Sequence, residues 1–166
     1  ILTALAGAVA SVGLVLTADD EIALIRNLVL LLPMLTIAIV DSLIRKIPNS
    51  LLLSMIVVQA AYVIYQCVTT HTNYTLLNAG IGFFLGFVAF TIPTLLKVPV
   101  GAGDVKYSAV VGLIMYMGCY LQTMATVGIL VLLVFVFLKI TKRGGMKTLI
   151  PMGPFISVSV VISMCF

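Results

Sequence analysis

The sequence predicts an all-α integral membrane protein of seven spans, on three observations. Of 166 residues, 63% are hydrophobic and only 8% are charged, against roughly a quarter charged in soluble domains. The mean hydropathy is +1.31. The apolar residues also fall into runs long enough to cross a hydrocarbon core of about 30 Å, parted by short polar connections. A soluble fold is excluded, and almost nothing is left outside the bilayer.

The runs, in order, are 1–17, 22–40, 51–68, 76–96, 107–122, 123–140 and 148–166. The first has no basic segment before it and no soluble domain behind it, so it reads as an additional N-terminal span rather than a cleavable signal. The chain opens at Ile1 instead of a methionine, which leaves room for residues ahead of it. The second span ends at Asp41, and Pro48 stops the segment beyond it; Asn49 or Ser50 is expected to cap the third. In the fourth, Gly82 and Gly86 form a small-xxx-small step suited to close helix packing. Only 118–123 separates the fifth and sixth runs, so a tight turn near 119–122 is expected there; a fused helix would far exceed bilayer thickness. One membrane domain results, with 1–17 as the extra span and 22–166 as a six-span core.

Charge sets the orientation. The first connection carries Asp19, Asp20 and Glu21, with Arg26 about a turn into the next span. Arg45 and Lys46, then Lys97 and Lys106, then Lys139, Lys142, Arg143 and Lys147 fall in the second, fourth and sixth connections. The positive-inside rule puts those three on the cytoplasmic side, so the chain begins inside and ends outside. This placement accounts for the net charge of +4 without nucleic acid as a partner. Cys67, Cys119 and Cys165 lie singly in apolar stretches and are expected to pack, not to bind metal or pair. His71 stands alone in the third connection and is expected to be solvated.

Two acidic residues remain. Asp41 closes the second span and Asp104 opens the fifth, so opposite chain directions bring both to the cytoplasmic interface. Ionisable groups at a span are costly and mark functional candidates. Read structurally, Asp41 would pair with Arg45 four residues on, and Asp104 would cap the helix it begins. Their matched depth, with no competing carboxylate, favours a joint chemical role. Gly101 and Gly103 around Asp104 permit unusual backbone conformations and the close approach of another chain, such as an extended substrate.

Three motifs now stand in order: Asp41 followed by Arg45-Lys46-Ile47-Pro48-Asn49, then Gly101-Ala102-Gly103-Asp104-Val105-Lys106, then Pro151-Met152-Gly153-Pro154-Phe155. Together they resemble the type IV prepilin peptidase family of membrane aspartyl proteases, over about 22–166. The resemblance implies that Asp41 and Asp104 are the catalytic aspartates. It further implies that Gly101, Gly103, Lys106, Arg45, Pro48 and Asn49 shape the site or contact substrate. The implied substrate is a pilin-like precursor (prepilin, pseudopilin or preflagellin), cut after its basic leader at the cytoplasmic face of the inner membrane. Membrane lipid and the assembly proteins of a pilus or secretion machine are the other implied partners. No metal or cofactor is expected. Larger family members carry a four-cysteine insert and methylate the new N-terminus. With no Cys-x-x-Cys pair, this chain is similar instead to the small enzymes of tight-adherence pilus systems or the preflagellin enzymes. Such substrates carry a glutamate just after the cut, which Lys106 could meet.

Three alternatives use the same residues. A presenilin-like GxGD protease would place Tyr before the first Asp and Pro-Ala-Leu near the end, where this chain has Val40 and Pro-Met-Gly-Pro-Phe. A proton- or cation-coupled transporter would need acids nearer the bilayer centre and repeated halves. A non-enzymatic assembly subunit would tolerate Asp→Asn at both sites.

Overall fold

The computed structural model describes residues 21–95, 101–140 and 152–165. The additional span expected at 1–17 lies outside them. The described residues form helices without strands: α1 (Glu21–Ile44), α2 (Asn49–Thr70), α3 (Tyr74–Leu95), α4 (Ala102–Ile140) and α5 (Gly153–Cys165). By length and composition α1, α2, α3 and α4 can each cross a membrane, and α5 is a shorter apolar helix.

α1 outlasts the expected second span by one turn. Asp41 therefore sits inside the helix, and Arg45 ends it by turning left-handed at φ 56°. Pro48 is extended (φ −67°, ψ 129°) and stands at the N-cap of α2 without a side-chain cap bond. Its carbonyl accepts the Leu51 N–H at 3.2 Å and the Leu52 N–H at 3.5 Å. The expected caps, Asn49 and Ser50, are thus already helical, and the Asn49 amide oxygen accepts instead from Lys106 Nζ at 3.4 Å.

The reversal between the fifth and sixth runs exists, but at Tyr116 rather than at 119–122. Tyr116 has φ 56° and ψ 178° within α4, a backbone region that side chains avoid at a cost on the order of 1–3 kcal/mol. Ser108 and Tyr120 show the consequence, since their hydroxyls lie 2.8 Å apart. A continuous helix would separate their Cα atoms by about 18 Å, so 102–115 and 117–140 are two arms folded against each other. Breaking a helix frees backbone carbonyls that lipid cannot satisfy. Fully buried Gln59 of α2 answers this by donating to the Leu113 carbonyl at 3.2 Å and to the Tyr116 hydroxyl at 3.4 Å. Arg26 stands beside this cluster: it bonds Asn27 Oδ1 at 2.7 Å, and its guanidinium stands 4.4 Å over the Tyr62 ring.

Close packing fixes the first arm of α4. A Cβ on Gly82 would collide with the Gly112 carbonyl oxygen, and one on Gly86 with that of Ser108, so the expected small-residue step is the seam between α3 and α4. The core is a set of inward stripes: Leu30, Met34 and Ile37 on α1, Tyr107, Val111 and Ile114 on α4, Ile156 and Val160 on α5. Many large apolar side chains face outward instead, Leu32, Leu43 and Phe84 among them, as expected where lipid is the solvent. Cys119 departs from the expected packing role, because it lies on the outer side just past the reversal; Cys67 is half-buried. His71 is exposed at the end of α2.

Candidate active site

The inward stripes carry the two acids. Asp41 continues the α1 series Leu30, Met34, Ile37 at spacings of four, three and four, so the helix turns it into the core, where it is 5% exposed. Asp104 precedes Tyr107, Val111 and Ile114 on α4 in the same way and is half-buried. The end of α1 and the start of α4 lie at one end of the bundle, bridged by Ile47 of the turn after α1 against Gly103, close enough for the charge of Asp41 to bear on Asp104.

Each carboxylate is held by a glycine N–H at the start of a helix. Gly101 begins α4, its carbonyl accepting the N–H groups of Asp104 at 3.0 Å and Val105 at 3.3 Å. The Asp104 side chain reaches back to the Gly101 N–H, which is half of a capping box. The capping reading of Asp104 is therefore correct and coexists with its place in the site. Asp41 Oδ2 accepts the Gly153 N–H at 2.9 Å. Gly153 opens α5, whose first helical carbonyl is that of Met152, accepting Ile156 N–H at 3.1 Å. The Asp41 partner is thus a helix N-terminus 112 positions away, not Arg45 on its own helix.

The glycines serve contact rather than special dihedrals, since among the described residues none has positive φ. A Cβ on Gly101 would stand 2.9 Å from Asp104 Oδ2. One on Gly103 would stand 3.3 Å from Ile47 Cβ, so the chain that approaches Gly103 is the turn after α1. Ser157 knots the region from behind. Its hydroxyl lies 2.7 Å from that of fully buried Tyr107, 2.9 Å from the Gly153 carbonyl and 3.2 Å from the Met34 carbonyl.

In front of Asp104 is an open cleft of about 310 Å³ lined by Arg45, Lys46, Ile47, Asn49 and Lys106 with the 101–104 turn. The expected site residues Arg45, Asn49, Gly101, Gly103, Asp104 and Lys106 therefore meet there. Asp41 lies deeper, and Pro48 shapes the turn without lining the cleft. Three cations face one carboxylate, an arrangement that attracts acidic groups. Among the described residues no group of three His, Cys, Asp or Glu side chains comes together to hold a metal ion. Gly153, Ser157 and Tyr107 were not among the expected site residues. Their signals were available in the Pro-x-Gly-Pro-Phe string and in Tyr107 standing one turn beyond Asp104.

Comparison with known proteins places this sequence in a family. No curated protein and no solved structure matches the chain. The family model described as "Type IV leader peptidase family" matches residues 28–138, from within α1 to near the end of α4, and so includes both aspartates. This multi-pass membrane protein, helical across its described residues, belongs to the type IV leader peptidase family.

Proposed function

We propose that the chain is an aspartic endopeptidase that removes the basic leader from type IV pilin-like precursors at the cytoplasmic face of the inner membrane, with Asp41 and Asp104 as its catalytic pair. The observation that carries this reading is the placement of the two acids at one end of the bundle, within electrostatic reach of each other and each held by a glycine N–H. Family membership supports a peptidase, and the charge alternation supports the cytoplasmic side. We read the whole chain as one membrane domain in which 22–166 forms the peptidase core.

Two neighbouring carboxylates do not both ionise readily and share one proton as a unit. The ionised member takes a proton from water, which attacks the scissile carbonyl. The protonated member donates to that carbonyl oxygen as the tetrahedral intermediate forms. Collapse of the intermediate transfers a proton to the leaving amine and restores the shared proton. Gly101 and Gly153 keep one oxygen of each acid oriented throughout. The cleft cations Arg45, Lys46 and Lys106 suit the acidic residue that follows the cut. The basic leader is better held by anionic lipid, at roughly 1 kcal/mol per Lys or Arg.

The test is to incubate the full chain, in native membranes, with a radiolabelled pilin-like precursor and to weigh the products. Release of the leader as one fragment, with the cut at the cytoplasmic edge of the precursor's apolar segment, is expected. An intact precursor, together with proton flux in proteoliposomes, would favour the transporter reading instead.

A further inference from the structure

We propose that the first turn of α5 is a positioning device for Asp41, in which Gly153 holds the carboxylate and Ser157 holds Gly153. The inference rests on Asp41 and Asp104 being the catalytic pair, and it gives the Pro-Met-Gly-Pro-Phe string a task.

A carboxylate that is 5% exposed needs a hydrogen-bond partner. The Gly153 N–H supplies one at 2.9 Å, and as part of a helix N-terminus it also favours negative charge. The fit requires glycine for a reason other than backbone freedom. A Cβ at 153 would stand 2.7 Å from Asp41 Oδ2, 2.9 Å from its Cβ and 3.0 Å from its Cγ. Rotating the carboxylate relieves the first contact but not the second, because Asp41 Cβ is fixed to the α1 backbone. Any side chain at 153 therefore drives α1 and α5 apart at the acid. Pro154 suits the next position, where a first-turn N–H has no helical acceptor to lose.

Ser157, one turn on, sets where Gly153 stands. It lies 2.9 Å from the Gly153 carbonyl and 3.2 Å from that of Met34, two turns before Asp41 on α1. Its hydroxyl also meets that of Tyr107, one turn after Asp104 on α4, at 2.7 Å. The series Asp41, Gly153, Ser157, Tyr107 thus links the two helices that carry the acids. Ser159 is an internal control, since it is fully buried in the same helix and its hydroxyl has no partner among the described residues.

The experiment measures kcat and KM for cleavage of a pilin-like precursor by the full-length protein and its variants Gly153→Ala, Ser157→Ala, Ser159→Ala and Asp41→Asn. A displaced reacting group costs rate far more than binding, by about 100-fold for about 1 Å. Gly153→Ala is expected to lower kcat by about that factor, with KM held within about threefold. Ser157→Ala, which removes an atom and adds none, is expected to lower kcat about tenfold, and Ser159→Ala to match the wild type. Wild-type kcat in Gly153→Ala, with Asp41→Asn inactive, overturns the inference and leaves the catalytic pair standing. Wild-type cleavage by Asp41→Asn overturns the pair itself. If Gly153→Ala does not accumulate in membranes, Ser157→Ala decides: an unchanged kcat, or a fall shared with Ser159→Ala, means that α5 does not position Asp41.

Discussion

Gly86→Ala adds one methyl group at the seam between α3 and the first arm of α4, away from either acid's own contacts but on the helix pair that carries Asp104. The added carbon would lie 2.9 Å from Ala109 Cα and from the Ser108 carbonyl carbon, and closer still to the Ser108 oxygen. Ordinary carbon contacts lie at about 3.5–4.0 Å, and all three atoms belong to backbone, so no side chain can swing away. The helices must separate by about 1 Å at this level. Asp104 is one turn from Ser108 on the same arm, and its carboxylate moves with it. Overpacking of this kind costs about 1–3 kcal/mol of stability, and a 1 Å misplacement of a reacting group costs about 100-fold in rate. Cleavage of a pilin-like precursor by purified protein in detergent, with thermal unfolding followed in parallel, measures both. Gly80→Ala is the comparison, because a Cβ there meets nothing within 4 Å. A Gly86→Ala protein as fast and as stable as Gly80→Ala would refute the claim that this seam sets the position of Asp104.

Tyr107→Phe removes the hydroxyl 2.7 Å from Ser157 and should cost about 1–2 kcal/mol, read as a lowered midpoint in thermal or denaturant unfolding. Gln59→Leu abandons the Leu113 carbonyl at the Tyr116 reversal. A loss of about 1–3 kcal/mol is expected, together with faster proteolysis of membranes at 113–120. Lys106→Ala breaks only an exposed 3.4 Å bond to Asn49 and should leave stability within about 0.5 kcal/mol. It should nevertheless slow cleavage of a glutamate-bearing precursor and spare one in which that glutamate is glutamine. Equal effects on the two precursors would remove Lys106 from substrate recognition.

Sustained apolar runs made most of the helices legible, because lipid-facing and core-facing residues are alike apolar and the polar connections mark where the spans end. The capping role of Asp104 was legible too, from its place at the start of a span, whereas the inward turn of Asp41 was hidden in a helix that is apolar on every side. The exact reversal point in α4 was not legible either. The nearest turn signal, Gly118, lies two residues beyond Tyr116, and the positive-φ backbone there is supported by Gln59 from another helix. Nor could local spacing reveal the partner of Asp41. Arg45, four residues away, satisfied every helical rule, yet the N–H that reaches the carboxylate comes from Gly153. The capping expectation at Asn49 failed because Pro48 takes the N-cap and leaves Asn49 inside the helix, its amide oxygen facing Lys106.

The central claim, that Asp41 and Asp104 together perform the cleavage, meets its most direct test in single carboxylate-to-amide exchanges. Asp41→Asn and Asp104→Asn keep size and shape while removing the ability to hold or pass the shared proton. Each would be co-expressed with a pilin-like precursor at wild-type membrane levels, and the mobility of the precursor followed. The account predicts that the wild type shortens the precursor and that both variants leave it at full length. Shortening by either variant at the wild-type rate would contradict it.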